Sequence, residues 1–158
     1  MGDDWLVDFV AESNRIEGIL REPSALEVAA TSAFLDAQEI HVETLERFVA
    51  ACAPGHRLRD AAGLNVRVGN YIAPAGGPEI RTALESLLGR QGSGGAYAVH
   101  VAYETLHPFT DGNGRSGRAL WLWMKTRGTV LDFRQATSLG FLHTFYYEAL
   151  QNSHARAA

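Results

Sequence analysis

The sequence has a single cysteine, Cys52, among its 158 residues, and it has neither a basic run nor a long apolar stretch. One cysteine excludes an intrachain disulfide and a zinc site built from thiolates, so Cys52 is predicted to be a small buried hydrophobe in a reducing compartment. Lysine and arginine number 14 against 18 acidic residues. The charge pattern of a general nucleic-acid-binding protein is therefore missing.

Membrane and targeting signals are missing as well. No apolar run approaches the length that a membrane span needs. The first residues, MGDDWLVDF, lack the basic region and the apolar core of a signal peptide. We expect a cytoplasmic protein with no membrane partner and no nucleic-acid partner.

Helical periodicity runs through most of the chain, whose composition is that of one globular domain. Apolar spacing from Asp4 to Leu20 predicts one amphipathic helix, and Ser24 with Glu27 has the spacing of a capping box that opens a second helix. Further helices are predicted near residues 42–52, 78–88, 96–106, 114–128 and 137–152. The helix over 96–106 is apolar nearly all round, which favours a position at the centre of the bundle.

One segment breaks the helical pattern. In NVRVGNYIAP, Val66 and Val68 alternate around Arg67, and Gly69-Asn70 suits a two-residue turn. These signals predict a short β-hairpin inside an otherwise all-α fold.

The stretch LHPFTDGNGRSGRAL concentrates polar groups between two predicted helices. The backbone of DGNG precedes a helix N-terminus and should cradle an anion, with Arg115 and Arg118 on one side of the first turn. Asp111 suits a Mg²⁺ ion shared with phosphate oxygens, and His107 suits a general base on a hydroxyl. The pattern predicts a site for transfer at a phosphoryl centre.

The segment HPFTDGNGRSGR, from His107 to Arg118, resembles the signature of the Fic (Fic/Doc) family, H-x-F-x-[DE]-G-N-G-R-x-x-R, at every specified position. The hairpin resembles the family's flap, and YYEAL resembles a pattern in its following helix. This resemblance covers most of residues 40–154. It implies a Fic-fold helical bundle with one short β-hairpin flap, with N-terminal helices in residues 1–39 and the Fic core in residues 40–158.

The resemblance also implies an activity: protein adenylyltransfer, in which AMP moves from Mg-ATP to a Ser, Thr or Tyr hydroxyl of a target protein and pyrophosphate is released. By similarity His107 is the catalytic base, Asp111 holds Mg²⁺ and Phe109 anchors the loop in the core. The exposed edge of the flap is expected to pair with an extended segment of the target. The implied nucleotide contacts are Gly112, Asn113, Gly114, Arg115, Arg118, Val68, Gly69, Asn70, Tyr71 and Tyr146.

A second signature lies near the start of the chain. SNRIEG, from Ser13 to Gly18, fits the family's inhibitory helix motif, [ST]-x-x-x-E-[GN]. By similarity Glu17 pairs with Arg118 and occupies the cation that would otherwise bind the γ-phosphate of ATP. The resemblance therefore implies an enzyme that inhibits itself.

Several alternatives stay open at the level of sequence. The same site could transfer another nucleotide or a phosphate, or remove AMP with Glu17 positioning a water molecule. A non-catalytic nucleotide-binding or toxin–antitoxin module is a further reading, disfavoured because His107 is intact. His100 is interpreted as a core residue, because no third metal ligand is spaced to join it. The target and the oligomeric state are open, with a homo-oligomer among the alternatives.

Overall fold

The structure is a computed structural model that describes residues 4–90 and 95–127. Within these ranges it has six helices and one antiparallel pair of strands, which confirms the predicted all-α class with a short hairpin. None of these helices combines the length and the hydropathy of a membrane span. The helix predicted over 137–152, and with it Tyr146, lies outside the described residues. The elements in chain order are α1 (Asp4–Ile16), α2 (Ala25–Leu35), α3 (Val42–Cys52), β1 (Arg67–Val68), β2 (Tyr71–Ile72), α4 (Pro78–Leu88), α5 (Ala96–Leu106) and α6 (Asn113–Thr126).

Local signals set the helix starts as predicted. The Ser24 hydroxyl accepts a hydrogen bond from the Glu27 amide at 3.2 Å, and the Glu27 carboxylate accepts one from the Ser24 amide at 2.7 Å. This capping box satisfies two of the amides that every helix start leaves open. Pro78 lies in the first turn of α4, where a missing N–H costs nothing.

Helix α1 is shorter than its apolar spacing predicts, because it ends at Ile16 and not at Leu20. The Ile19 amide donates to the Asn14 carbonyl and the Gly18 amide donates to the Arg15 carbonyl, which is the hydrogen-bond pattern of a Schellman motif. Gly18 takes the left-handed conformation, φ 76°, that this motif requires. The motif turns the chain away, so Leu20 is 82% exposed.

The central helix of the described part is α6, and within that part α5, which was predicted at the centre, is less buried than α6. Among the described residues, α6 packs against α1, α2, α3 and α5, and it is buried at ten positions between Asn113 and Trp123. Helix α5 packs mainly on α4 and α6 and is buried at four positions. Position in the bundle thus decides burial, even though α6 is richer in polar residues than α5.

The two N-terminal helices share the core of the rest of the chain. Phe9 and Val10 of α1 pack with Trp121 and Leu122 of α6 in a cluster of their own. Phe34 of α2 belongs to the larger cluster formed with α3, α4, α5 and α6. These contacts fix α1 against the centre of the bundle, while the boundary between residues 39 and 40 stays a prediction.

The hairpin forms in the predicted register. Val68 pairs with Tyr71 across the Gly69-Asn70 turn, and Arg67 pairs with Ile72. The Tyr71 hydroxyl donates to the Thr105 carbonyl of α5 at 2.7 Å, so the hairpin is attached beside the C-terminal end of that helix.

Substitution of two leucines by alanine tests which residues belong to the core and which to the surface. Leu120 of α6 is fully buried, whereas Leu20 is 82% exposed. Leu120→Ala should lower the free energy of unfolding by about 2–5 kcal/mol, because it leaves a cavity. Leu20→Ala should change that free energy by less than about 0.5 kcal/mol. Urea denaturation measures both, and equal losses in the two variants would contradict the assigned end of α1.

Candidate active site

The motif loop, residues 107–112, joins α5 to α6, and its first residue has an uncommon backbone. His107 lies in the left-handed region at φ 51° and ψ 61° and is the only residue other than glycine with a positive φ among the described residues. The Arg59 guanidinium donates to the His107 carbonyl at 2.7 Å and to the Leu106 carbonyl at 2.9 Å. These bonds stabilise the bend that turns the imidazole away from the axis of α5.

The middle of the motif loop is held in place by Phe109 and Asn113. Phe109 is fully buried, in agreement with its predicted place in the core. The Asn113 side chain both donates to the Phe109 carbonyl and accepts from the Phe109 amide, each at 2.8 Å. These two bonds fix the Asn113 side chain against the backbone of the loop.

The N-terminus of α6 lacks a hydrogen bond from an N-cap side chain. Gly112 precedes the helix, and no described side chain caps the first turn. The amides of a helix start carry a partial positive charge and point outward along the axis, so they favour an anion. The predicted cradle of residues 112–114 therefore coincides with a helix N-terminus.

A carboxylate from α1 lies against this first turn. Glu17 Oε1 is 2.6 Å from Arg118 Nη2, so the predicted pairing of these two residues is present. The Ser13 hydroxyl and the Ser13 carbonyl each accept from the same guanidinium at 2.9 Å. A Cβ atom on Gly114 would collide with Glu17 Oε1, so only glycine leaves room for the carboxylate here. Whether the contact inhibits the protein stays a prediction.

The second arginine of the motif has different partners. Arg115 donates to the Cys52 carbonyl at the end of α3, and its Nη2 is 3.8 Å from Asp111 Oδ2. Its Nε has no hydrogen-bond partner in the described part of the chain. The two guanidiniums are thus held by separate elements, Arg118 by α1 and Arg115 by α3 and the motif loop.

Asp111 is the most exposed ionisable side chain of the motif loop. One carboxylate oxygen accepts from the Gly112 amide at 2.7 Å, and the side chain is 56% exposed. Among the described residues no group of three or more His, Cys, Asp or Glu could hold a metal ion. A single accessible carboxylate fits Mg²⁺, which commonly combines one or two carboxylates with substrate phosphates and water. Asp111 is therefore the residue that would hold this ion.

The flap residues lie at the surface beside this loop. Val68, Gly69 and Asn70 are exposed, and Val68 and Ile72 expose 40% and 71% of their surfaces. Tyr71 is half-buried, and its burial raises the pKa of the phenol. Its hydroxyl bond to α5 makes it an anchor of the flap.

The structure adds a buried acid that the sequence did not suggest. Glu104 Oε2 is 4.0 Å from His107 Nδ1, and Glu104 Oε1 is 3.9 Å from His100 Nε2. Burial raises the pKa of Glu104 to about 8, with Arg118 acting to lower it and Glu17 to raise it. The spacing of Glu104 and His107 on one helix face is a signal that could have indicated it.

His100 lies beneath the same carboxyl. Burial lowers the pKa of this imidazole to about 3, so it is neutral. Its Nδ1 is 2.8 Å from the Gly117 carbonyl and must carry the proton, since a carbonyl can only accept. His100 is thus a buried core residue, as predicted.

Two further residues reach the loop from a segment far away in the sequence. His56 Nδ1 is 3.0 Å from Thr110 Oγ1, and His56 Nε2 is 3.8 Å from Asp111 Oδ2. Arg59 binds the end of α5. Neither residue forms a sequence motif with its partners, so only the fold could reveal them.

A helical bundle that holds this loop between two of its helices is the architecture of a Fic-type domain. The sequence model of the Fic/DOC family matches residues 32–124, which is more than half of the chain, and the chain belongs to that family. Members generally transfer nucleotidyl or other phosphate-containing groups to proteins. No curated protein matches the chain. The matched residues include the flap and the motif loop but not α1, so the inhibitory-helix subclass stays a prediction.

The raised pKa of Glu104 predicts how the free energy of unfolding depends on pH. The pKa of Glu104 in the folded protein, about 8, exceeds the ordinary value of 4.5, so the unfolded chain loses this proton first as pH rises. Glu104 should therefore lower the free energy of unfolding by about 1.4 kcal/mol per pH unit up to about pH 8, and add no slope above it.

Glu104→Gln keeps the shape but cannot ionise, so its curve should lack that slope. Urea denaturation from about pH 6.5 to pH 9 measures both curves, and the titration of His100 in the unfolded chain is common to both proteins, so their difference isolates Glu104. Parallel curves for the wild type and Glu104→Gln would show that Glu104 titrates normally.

Proposed function

We propose that this protein is an adenylyltransferase that moves AMP from Mg-ATP to a Ser, Thr or Tyr hydroxyl of a target protein, releases pyrophosphate and is inhibited by Glu17. One observation carries the proposal: the Glu17 carboxylate is bound by the Arg118 guanidinium and lies directly against Gly114 in the first turn of α6. A carboxylate held by a buried cation at a helix N-terminus marks an anion site, and phosphate suits such a site.

The nucleotide would be bound by groups that are already fixed in the protein. The open amides at the start of α6 would receive phosphate oxygens, and Arg118 would hold the outermost phosphate once Glu17 has left it. Arg115 lies on the Asp111 side of the same turn. Mg²⁺ held by Asp111 would supply charge neutralisation for the phosphates.

His107 would then act on the target. Its imidazole would accept the proton of the attacking hydroxyl as the hydroxyl oxygen bonds to the α-phosphorus and the bond from that phosphorus to the bridging oxygen breaks. AMP becomes attached to the target and pyrophosphate departs. The base would act through Nε2 of His107. The carboxyl of Glu104 is 4.0 Å from Nδ1, the other nitrogen of the same ring.

The flap would present the hydroxyl. β1 and β2 pair only with each other in the described part of the chain, so the hairpin retains strand edges that an extended peptide could join. Main-chain pairing of this kind positions a segment while reading little of its sequence. The target segment would then lie beside α5, close to His107.

The base can be tested by substitution. His107→Ala should reduce AMP transfer by about 10²–10⁴-fold, because general-base catalysis is lost, and it should leave ATP affinity nearly unchanged, because other groups bind the phosphates. Transfer is measured by intact mass with Mg-ATP in the Glu17→Gly background, and affinity by calorimetry. His41→Ala removes an exposed histidine that immediately precedes α3 and serves as the control. Full transfer by His107→Ala would exclude the assigned role.

Inhibition can be tested by removing the competing carboxylate. The γ-phosphate must displace a charge-assisted hydrogen bond worth about 1.5–3 kcal/mol, which corresponds to roughly 10–150-fold in productive binding. Glu17→Gly should therefore raise automodification with Mg-ATP by that factor. Glu22→Gly, which removes an exposed glutamate nearby, should have no effect.

The order of effects separates inhibition from a change in stability. Arg118→Ala should abolish transfer even when combined with Glu17→Gly, because the phosphate ligand is then gone. No activation by Glu17→Gly on any substrate would overturn the inhibitory role. If Glu17→Gly instead destroyed the release of AMP from a modified target, removal of AMP would replace transfer as the activity.

A further inference from the structure

We propose that Arg59 is a positioning residue for the transfer reaction, because its side chain fixes the flap relative to His107. This inference rests on the proposed function. Arg59 is fully buried, yet no carboxylate in the described part of the chain pairs with it. Its side chain donates only to backbone carbonyls, which is an unusual use of a buried charge.

The four acceptors come from two separate parts of the site. Nε and Nη2 donate to the His107 and Leu106 carbonyls at 2.7 Å and 2.9 Å. Nη1 donates to the Leu64 carbonyl at 3.0 Å and to the Pro74 carbonyl at 2.8 Å. Leu64 precedes the hairpin and Pro74 follows it. One guanidinium thus holds the end of α5 and both ends of the flap segment, residues 64–74.

The backbone of Arg59 extends the same connection. Its amide donates to the Pro108 carbonyl at 2.8 Å, and its carbonyl accepts from the Gly77 amide at 2.9 Å. The neighbouring Leu58 forms a β-bridge with Phe109 of the motif loop. The backbone of Arg59 therefore joins the motif loop to the start of α4, which closely follows the flap segment.

Arginine suits this task for geometric reasons. A guanidinium is planar and presents its donors in a fixed fork, so acceptors on its two sides cannot move independently. A lysine has one flexible ammonium and could not satisfy four carbonyls in two directions. Burial lowers the pKa of Arg59, but arginine is too basic to lose its proton in the physiological range.

For the reaction, these bonds would fix the distance between the flap and His107. A hydroxyl presented by a peptide on the flap must come within hydrogen-bond reach of His107, and an error of about 1 Å in such an arrangement can cost about 10²-fold in rate. In the proposed function the charged phosphates bind at α6, and the flap residues Val68 to Tyr71 only border the nucleotide. Arg59 should therefore govern the rate of transfer while leaving the nucleotide KM nearly unchanged.

The first experiment requires no activity. Arg59→Lys is compared with Arg57→Lys, whose side chain is 65% exposed and contacts only Asp60 at 3.5 Å among the described residues. Hydrogen exchange should accelerate at least tenfold in residues 64–74 and 106–110 together in Arg59→Lys, with α2 and α3 unchanged and Arg57→Lys like the wild type. Acceleration in neither segment, in one segment alone or throughout the protein would overturn the proposal.

If Arg59→Lys does not fold, native-state exchange of the wild type in low urea decides the same question. The two segments should open as one unit, with the same free energy of opening and the same urea dependence. Different urea dependences for the flap segment and the motif loop would refute the coupling.

The second experiment measures transfer in the Glu17→Gly background with Mg-ATP. Adding Arg59→Lys should lower kcat by about 10–100-fold with the KM for ATP changed by less than about threefold. An equal change in kcat and KM, or no change, would count against Arg59 as a positioning residue. If Glu17→Gly itself transfers nothing, the proposed function fails, while hydrogen exchange still decides whether Arg59 couples the two segments.

Discussion

The ion pair between Glu17 and Arg118 joins the segment at the end of α1 to the centre of the bundle, and the proposed control of the site depends on it. The pair places a negative charge where the dipole of α6 and a buried cation both favour one. Its geometry depends on the end of α1, since the Schellman motif formed with Gly18 directs Glu17 back toward α6. A helix end, a helix start and one guanidinium therefore meet at one point, and in the proposed function a phosphate would compete there with the Glu17 carboxylate.

The segment around Glu17 is also held from outside the site. Asn14 donates to the Glu27 carboxylate of α2 at 3.2 Å, and Arg21 binds both oxygens of the same carboxylate. The hydrogen bond from Arg21 is the main reason why the pKa of Glu27 falls to about 2. Glu27 thus pins the chain on both sides of Glu17. Withdrawal of Glu17 from Arg118 requires rotation of one side chain, whereas movement of α1, which carries the Ser13 contacts with Arg118, would require this second network to break.

Much of this organisation follows from local sequence and was predictable. The capping box at Ser24, the proline at the start of α4 and the Gly-Asn turn depend on neighbouring residues. The same holds for the motif loop, whose residues adjoin one another along the chain. The end of α1 was mispredicted because Leu20 continues an apolar spacing, while the hydrogen bonds of the Schellman motif end the helix at Ile16.

The sequence by itself therefore determined the class of fold, the positions of most helices and the membership in the Fic/DOC family, because these depend on local patterns. Only the tertiary structure decided that α6 is central, since burial depends on which helices surround it. Only the structure revealed Arg59, because its acceptors are backbone carbonyls, which every residue has and no sequence distinguishes. The raised pKa of Glu104 likewise required the fold, because burial is its main cause and a carboxyl three residues from His107 could equally face water.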